Sequence, residues 1–158
     1  MQMTEGMFSS KSDDWATPQK LFDTLNDEFH FTLDPCASVE NHKCQTYFTM
    51  DDNGLMQDWG NHIVFMNPPY GKAIGNWVKK ARQHADRGGV SVALLPCRTD
   101  TKWWTDVMKA TEIRFIKGRV KFNDGDRCAP FPSCIVIWGT PKMPRIQIIN
   151  KDGYSEGF

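Results

Sequence analysis

Four apolar residues in a row, Ile63-Val64-Phe65-Met66, run directly into Asn67-Pro68-Pro69-Tyr70, and this junction limits the folds open to the chain. An unbroken apolar run suits a strand covered on both faces, because a half-exposed strand would alternate. Two consecutive prolines then end it, since neither carries the backbone N–H that would extend a hydrogen-bonded ladder. A buried strand that stops at a rigid polar turn belongs in a sheet with helices on both sides.

The flanking pattern agrees. Leu21, Phe22, Leu25 and Phe29 recur at helical spacing after Thr17-Pro18, which reads as an N-cap followed by proline at the first helical position. Phe29, Phe31 and Leu33 alternate with polar residues into Asp34-Pro35-Cys36-Ala37-Ser38, predicting a short strand that ends at an acidic turn, with another strand at Tyr47-Phe48. Trp77, Val78, Ala81 and Ala85 mark a helix closed by Gly88-Gly89, and the Val90 to Leu95 strand stops at Pro96. Trp103, Trp104, Val107 and Met108 mark a further helix. Beyond Ala110 come the short runs Ile113 to Ile116, Val120 to Phe122 and Ile135 to Trp138, the texture of a hairpin or meander. The expected fold is α/β, a doubly wound sheet, mostly parallel with antiparallel edge strands.

At 158 residues the chain suits one domain, expected over 14–150, with a polar mobile arm over 1–13 and a tail over 151–158. Lys plus Arg and Asp plus Glu both total 19, so any nucleic-acid contact must come from a local basic face. No apolar stretch reaches the roughly 18 to 20 residues of a spanning helix, and Met1-Gln2-Met3-Thr4-Glu5 lacks the pattern of a signal peptide. The expectation is no membrane association and a cytoplasmic location. The five cysteines have no C-x-x-C spacing and read as reduced thiols, and no metal site is expected; His42 and Cys44 read as packed or solvated residues.

In open α/β sheets ligands bind beyond the carboxyl ends of the strands, which puts two turns on one edge: Asp34-Pro35-Cys36-Ala37 and Asn67-Pro68-Pro69-Tyr70. The second joins an amide acceptor, a stiffened backbone and an aromatic ring. That set suits an exocyclic amine, a poor nucleophile whose lone pair is delocalised into its ring. The Asn67 side-chain oxygen and the Pro68 carbonyl could each take one N–H and turn the lone pair toward an electrophilic methyl. Tyr70 could stack on a base flipped out of the duplex. Structural readings stand beside these: Thr17-Pro18 as a helix cap, Asp34-Pro35 as a strand-ending turn, Asn67 to Tyr70 as a rigid loop, Tyr70 as packing.

Asp14-Trp15-Ala16-Thr17-Pro18, Leu33 to Ala37, Asn67 to Tyr70, Leu95-Pro96, Gly118-Arg119 and Pro130-Phe131-Pro132-Ser133 together resemble, in order, the small phage-type (Dam-like) DNA N6-adenine methyltransferases that use S-adenosyl-L-methionine. The resemblance runs from Trp15 to Trp138 and implies a Rossmann-like methyltransferase domain, with Asn67, Pro68, Pro69 and Tyr70 as the catalytic segment. It implies cofactor contacts from Trp15, Thr17 and Pro18 and from Asp34, Pro35, Cys36 and Ala37, although Cys36, Ala37 and Ser38 stand where the wider group has a Gly-rich loop. For the cofactor's ribose and adenine, Glu40, Asp51, Asp52 and Asp58 are candidates, and Asp52 is preferred.

The implied partner is double-stranded DNA with a short target, GATC by resemblance, and the protein could act as a monomer, in the host cytoplasm if phage-encoded. Arg98, Lys102, Arg119, Lys121 and Phe131 are the expected DNA contacts, since basic residues interleaved with aromatics suit phosphate binding and stacking. Lys72, Lys79, Lys80, Arg82 and Arg87 fall on the polar side of a helix and can simply solvate it. Rival readings are methylation of cytosine N4, RNA adenine or protein glutamine, an inactive DNA-binding module, and a metal-dependent nuclease built on the many aspartates.

Overall fold

The computed structural model describes residues 15–141 and 145–156. The predicted arm over 1–13 lies outside them. Seven strands form one sheet in the order β2-β1-β3-β4-β6-β5-β7. In chain order these are β1 (Leu33–Asp34), β2 (Thr46–Tyr47), β3 (Ile63–Met66), β4 (Val90–Pro96), β5 (Glu112–Ile116), β6 (Ser133–Trp138) and β7 (Arg145–Ile149), with helices α1 (Gln19–Phe29), α2 (Ile74–Asp86) and α3 (Trp104–Val107). The chain is thus the expected doubly wound α/β domain with a mostly parallel sheet. Among the described residues the one reversed strand is β6, antiparallel to both β4 and β5, and it sits inside the sheet, while the edge strand β7 pairs parallel to β5.

Side-chain alternation divides the core between the two faces. Val64, Met66, Ala93 and Leu95 face one layer with Trp77, Val78 and Ala81 of α2 and Trp104 and Val107 of α3. Phe65, Val92 and Leu94 face the other with Leu21, Phe22 and Leu25 of α1. Because both faces are covered, β3 and β4 read as continuous apolar runs. Complete burial of each such side chain contributes about 1.5–3 kcal/mol.

Helix α1 departs from the expected start. Pro18 rather than Thr17 occupies the N-cap, with no side-chain cap bond of its own, and the backbone N–H of Gln19 donates instead to the Asp124 carboxylate at 3.2 Å. The helix runs through Phe29 and ends at His30, whose φ of 57° turns the chain, so only Leu33 and Asp34 remain for β1. Val120 to Phe122 is not a strand: Phe122–Asp124 is a short 3-10 turn with Asn123 and Asp124 at positive φ. β7 has an inverted pattern, with Ile146 and Ile148 exposed and Gln147 buried, which hides it from a search for an apolar face. The expected tail turns back on β7: Ser155 bridges Ile149, and the Glu156 N–H donates to the Ile148 carbonyl.

Candidate active site

β1 and β3 are parallel neighbours with Leu33 opposite Val64, so the sheet delivers Asp34 and Asn67 to the same edge. At that edge the Asn67 amide donates from Nδ2 to the Trp15 carbonyl at 2.6 Å and to Thr17 Oγ1 at 3.1 Å. A carbonyl only accepts, so the nitrogen must face Trp15 and the oxygen must face away. That oxygen, Oδ1, is buried and has no hydrogen-bond partner. The other unpartnered buried side-chain atoms among the described residues are hydroxyls, of Ser91, Ser133 and Thr140. An unmet buried acceptor costs about 1–3 kcal/mol.

Tyr70 is anchored from behind, its hydroxyl donating to the Leu94 carbonyl at 3.1 Å. Burial pushes its phenol well above the ordinary value, so it stays protonated and offers no base. Its ring lies among Trp15, Phe122 and Phe131, at centroid separations of 6.4, 6.3 and 5.5 Å.

Between the two turns lies a cavity of about 380 Å³ lined by Pro35, Cys36, Ala37, Asn67, Pro69 and Trp77. Glu40 and Asp51 also line it, and so do Val39 and Met50, which are 67% and 79% exposed. Asp34 lies behind the lining. Its carboxylate accepts from the Cys36 N–H at 3.2 Å and the Lys43 N–H at 2.9 Å, bracing the turn. Burial raises its pKa against the pull of those two bonds.

Gly54, which carries no motif in the sequence, packs under the same turn: a Cβ there would stand 2.4 Å from the Pro35 carbonyl oxygen. It does what a Gly-rich loop after the first strand would do, letting backbone approach backbone, but from 19 residues further along the chain. Asp52 is absent from the lining. Its carboxylate turns back to accept from the Thr49 N–H and hydroxyl at 2.8 and 3.1 Å, while its neighbours Asp51 and Asn53 face the cavity. Trp15, Thr17 and Pro18 are likewise absent from the lining, and the first and third of the Trp15-to-Thr17 segment hold Asn67 instead.

A larger groove, about 560 Å³, runs between residues 55–60 and α2 and shares no lining residue with this cavity. Lys80 is committed there to the Leu55 and Gln57 carbonyls, at 2.9 and 2.6 Å, and lies over the Trp59 ring. Arg82 pairs with Asp86 and with Asp106. These two cations of α2 are structural.

Arg98 and Lys102 follow β4, Arg119 and Lys121 follow β5, and Phe131 precedes the reversed strand β6, so topology puts all five on the edge that carries Asn67. The four cations are exposed, and the Arg98 guanidinium lies 5.8 Å from the centre of the half-buried Phe131 ring. Trp104 is core, with Trp103 packed against the same cluster. Among the described residues no group of three or more His, Cys, Asp or Glu could hold a metal ion, and no helix is long and apolar enough to cross a membrane.

Comparison with known proteins places this architecture. A protein from Haemophilus phage HP1 named DNA N-6-adenine-methyltransferase is 33% identical over 121 residues, which cover 74% of this chain and 70% of that one. A protein of the same name from Escherichia phage T1 is 33% identical over 106 residues, 65% of this chain and 44% of its own, so this chain matches less than half of the T1 protein's length. A solved modification subunit ascribed to a type I restriction enzyme of Vibrio vulnificus YJ016 overlaps 98% of this chain and 53% of its own at 14% identity, with a TM-score of 0.49, too loose a likeness to argue from. The family profile described as DNA N-6-adenine-methyltransferase (Dam) matches residues 6–156. With nearly the whole chain inside that match, the protein belongs to the DNA N-6-adenine-methyltransferase (Dam) family.

Proposed function

We propose that this protein methylates the N6 amine of adenine in double-stranded DNA, with S-adenosyl-L-methionine as donor in the cavity between the two turns. The observation that carries the reading is the Asn67 amide, with its donors spent on Trp15 and Thr17 and its oxygen buried without a partner beside a cavity that Asn67 lines. An acceptor kept waiting at a cost is what an amine-orienting site requires.

The residues suit the donor. The cavity falls within the range of about 300–1,000 Å³ usual for small-molecule sites. Pro35, Ala37, Pro69 and Trp77 supply apolar walls, and Cys36 adds a small side chain beside them. Glu40 and Asp51 supply acceptors for hydroxyl and ammonium groups, a task that Asp51 rather than Asp52 is placed to perform. When bound, the donor supplies an electrophilic methyl group.

The chain's own residues handle the base. Asn67 Oδ1 and the Pro68 carbonyl accept the two amine hydrogens, holding the lone pair in one direction and stabilising the positive charge that develops on nitrogen. The two prolines keep that pair of acceptors rigid. Tyr70, anchored on Leu94, offers a fixed ring to a flipped base, which offsets part of an unstacking cost of a few kcal/mol. Arg98, Lys102, Arg119 and Lys121 take the phosphates, and Phe131 flanks the base. One chain carries both turns, so no second copy is needed to bring them together.

The test is transfer of tritiated methyl from S-adenosyl-L-methionine to DNA free of methylated bases, with nucleoside analysis of the product. Labelled N6-methyladenine supports the reading. Label in N4-methylcytosine, or transfer only to RNA or protein, overturns the substrate, and no transfer despite cofactor binding leaves a DNA-binding module. GATC is the first target to examine, by protection of methylated DNA from a nuclease that cuts that sequence.

A further inference from the structure

Four aromatic rings from four separate chain segments meet beside Asn67: Trp15, Tyr70, Phe122 and Phe131. Five of their six centroid separations run from 5.1 to 6.3 Å at interplanar angles of 50° to 89°. The pair formed by Trp15 and Tyr70 is different: its rings are the furthest apart, at 6.4 Å, and the closest to parallel, at 31°. Stacked bases repeat at about 3.4 Å, so two rings about 7 Å apart can hold a third planar ring between them. The Trp15 and Tyr70 centroids fall short of that spacing by a few tenths of an ångström and their rings are tilted by 31°, so the two must part slightly to admit a base, while Phe122 and Phe131 stand edge-on to Tyr70 at 82° and 75°.

The segment that carries Trp15 is tied down beyond what a strand of loop needs. Its carbonyl accepts from Asn67 Nδ2, and Thr17 Oγ1 accepts from the same nitrogen. Between them, the Ala16 N–H donates to Asn123 Oδ1 at 2.8 Å and the Ala16 carbonyl accepts from the Asn123 N–H at 2.8 Å. Asn123 makes both bonds from a positive φ of 64°. The bonds hold the backbone that follows the ring, and one of them ends on the amide whose oxygen awaits a donor. The position of the ring is therefore coupled to the position of the acceptor.

We infer that Trp15 is the second wall of the base slot: the target adenine stacks between Trp15 and Tyr70 with its amine toward Asn67 Oδ1, and Trp15 binds base rather than methyl donor. This rests on the adenine-methylation reading above. The donor cavity supports the division of labour, since Trp15 is not among its lining residues. Substitution of the side chain leaves the Trp15 carbonyl and its bond to Asn67 in place, so it addresses the ring alone.

The experiment compares the wild type with Trp15→Ala and Trp15→Phe. Methyl transfer to DNA free of N6-methyladenine gives kcat/KM for DNA, calorimetry gives Kd for S-adenosyl-L-methionine, and Tm reports folding. Loss of one stacking ring is expected to lower kcat/KM for DNA about tenfold to a hundredfold in Trp15→Ala, with cofactor Kd unchanged within about twofold and most of the loss recovered in Trp15→Phe. An unchanged kcat/KM overturns the proposal. A raised kcat/KM also overturns it, because the ring would then be a plug over the slot. A matching rise in cofactor Kd would overturn it by returning Trp15 to the donor. Should Tm fall steeply in Trp15→Ala, the Trp15→Phe variant decides: loss of activity on DNA with an intact ring, fold and cofactor affinity counts against stacking. Failure of the underlying reading looks different, since the wild type itself would then put no label into N6-methyladenine.

Discussion

At the scale of single residues, Asn67 is held by contacts that no local pattern announces. Thr17 reads in sequence as a helix cap, yet its hydroxyl is spent on an amide 50 positions away while Pro18 takes the cap. Asn67→Ala is expected to lower kcat by about a hundredfold to a thousandfold, with cofactor Kd and Tm nearly unchanged, because the acceptor acts on charge that develops during reaction. A variant with near-normal turnover would reject the amine-orienting role. Thr17→Val removes one of the two groups that orient the amide and is expected to cost about five- to tenfold in kcat, with Thr17→Ser restoring it. If Thr17→Val instead raises cofactor Kd and leaves kcat alone, Thr17 serves the donor.

At the scale of elements, two contacts decide how helix and turn are placed. Asp124 caps α1 across 105 residues of sequence, in place of a residue at the helix's own start. Asp124→Ala should cost about 1 kcal/mol, lowering Tm by about 2–4 °C, which thermal unfolding followed by circular dichroism can read. Gly54 lets its loop pass under the Asp34-to-Ala37 turn, and its carbonyl is held by the Trp59 indole N–H at 3.0 Å. In Gly54→Ala the new Cβ meets the Pro35 backbone oxygen rather than a movable side chain, so the turn must shift. About 1–3 kcal/mol of stability is expected to be lost, together with at least tenfold in cofactor affinity by calorimetry. Unaltered affinity would mean that the turn does not shape the donor cavity.

At the scale of the whole molecule, an ion network with a buried Arg114–Glu112 centre joins β5, β7 and α1. Arg114 donates to both Glu28 oxygens at 2.7 Å and to Glu112 at 2.9 Å, and Glu112 also accepts from Gln147 at 2.5 Å and pairs with Arg145 at 3.0 Å. Burial pushes the Glu112 carboxyl upward, but bonds from Arg114, Gln147 and Arg145 outweigh it and bring the net value below the ordinary 4.5. A lowered folded value means that this stability is fully present above pH 4.5 and is lost as pH falls through the folded value. Glu112→Gln should cost about 3 kcal/mol at neutral pH, since Arg114 would lose part of its compensation. Urea unfolding from pH 7 to pH 3 checks the sign: the variant should lose less stability in acid than the wild type, and parallel curves would assign the acid loss elsewhere.

What the sequence determined by itself was local. Ile63 to Met66 had to be a buried strand and Asn67-Pro68-Pro69 had to end it, because apolar continuity and the missing proline N–H act within a few residues. The same holds for the α2 stripe and for β4, whose two faces both demanded cover. The edge shared by Asp34 and Asn67 followed from the general layout of such sheets. The tertiary structure decided where side chains spend their hydrogen bonds. Asp52 is the preferred reading for the donor's ribose and adenine, yet its carboxylate is bonded to Thr49 and Asp51 lines the cavity instead. β7 carries its polar Gln147 inward because Glu112 waits for it there, so its apolar alternation points the wrong way. Asn123 and Asp124, which no sequence pattern singles out, hold Ala16 and the start of α1. These choices depend on which groups a folded sheet brings within hydrogen-bonding distance of one another across 50 to 107 residues, and spacing along the chain carries no record of that.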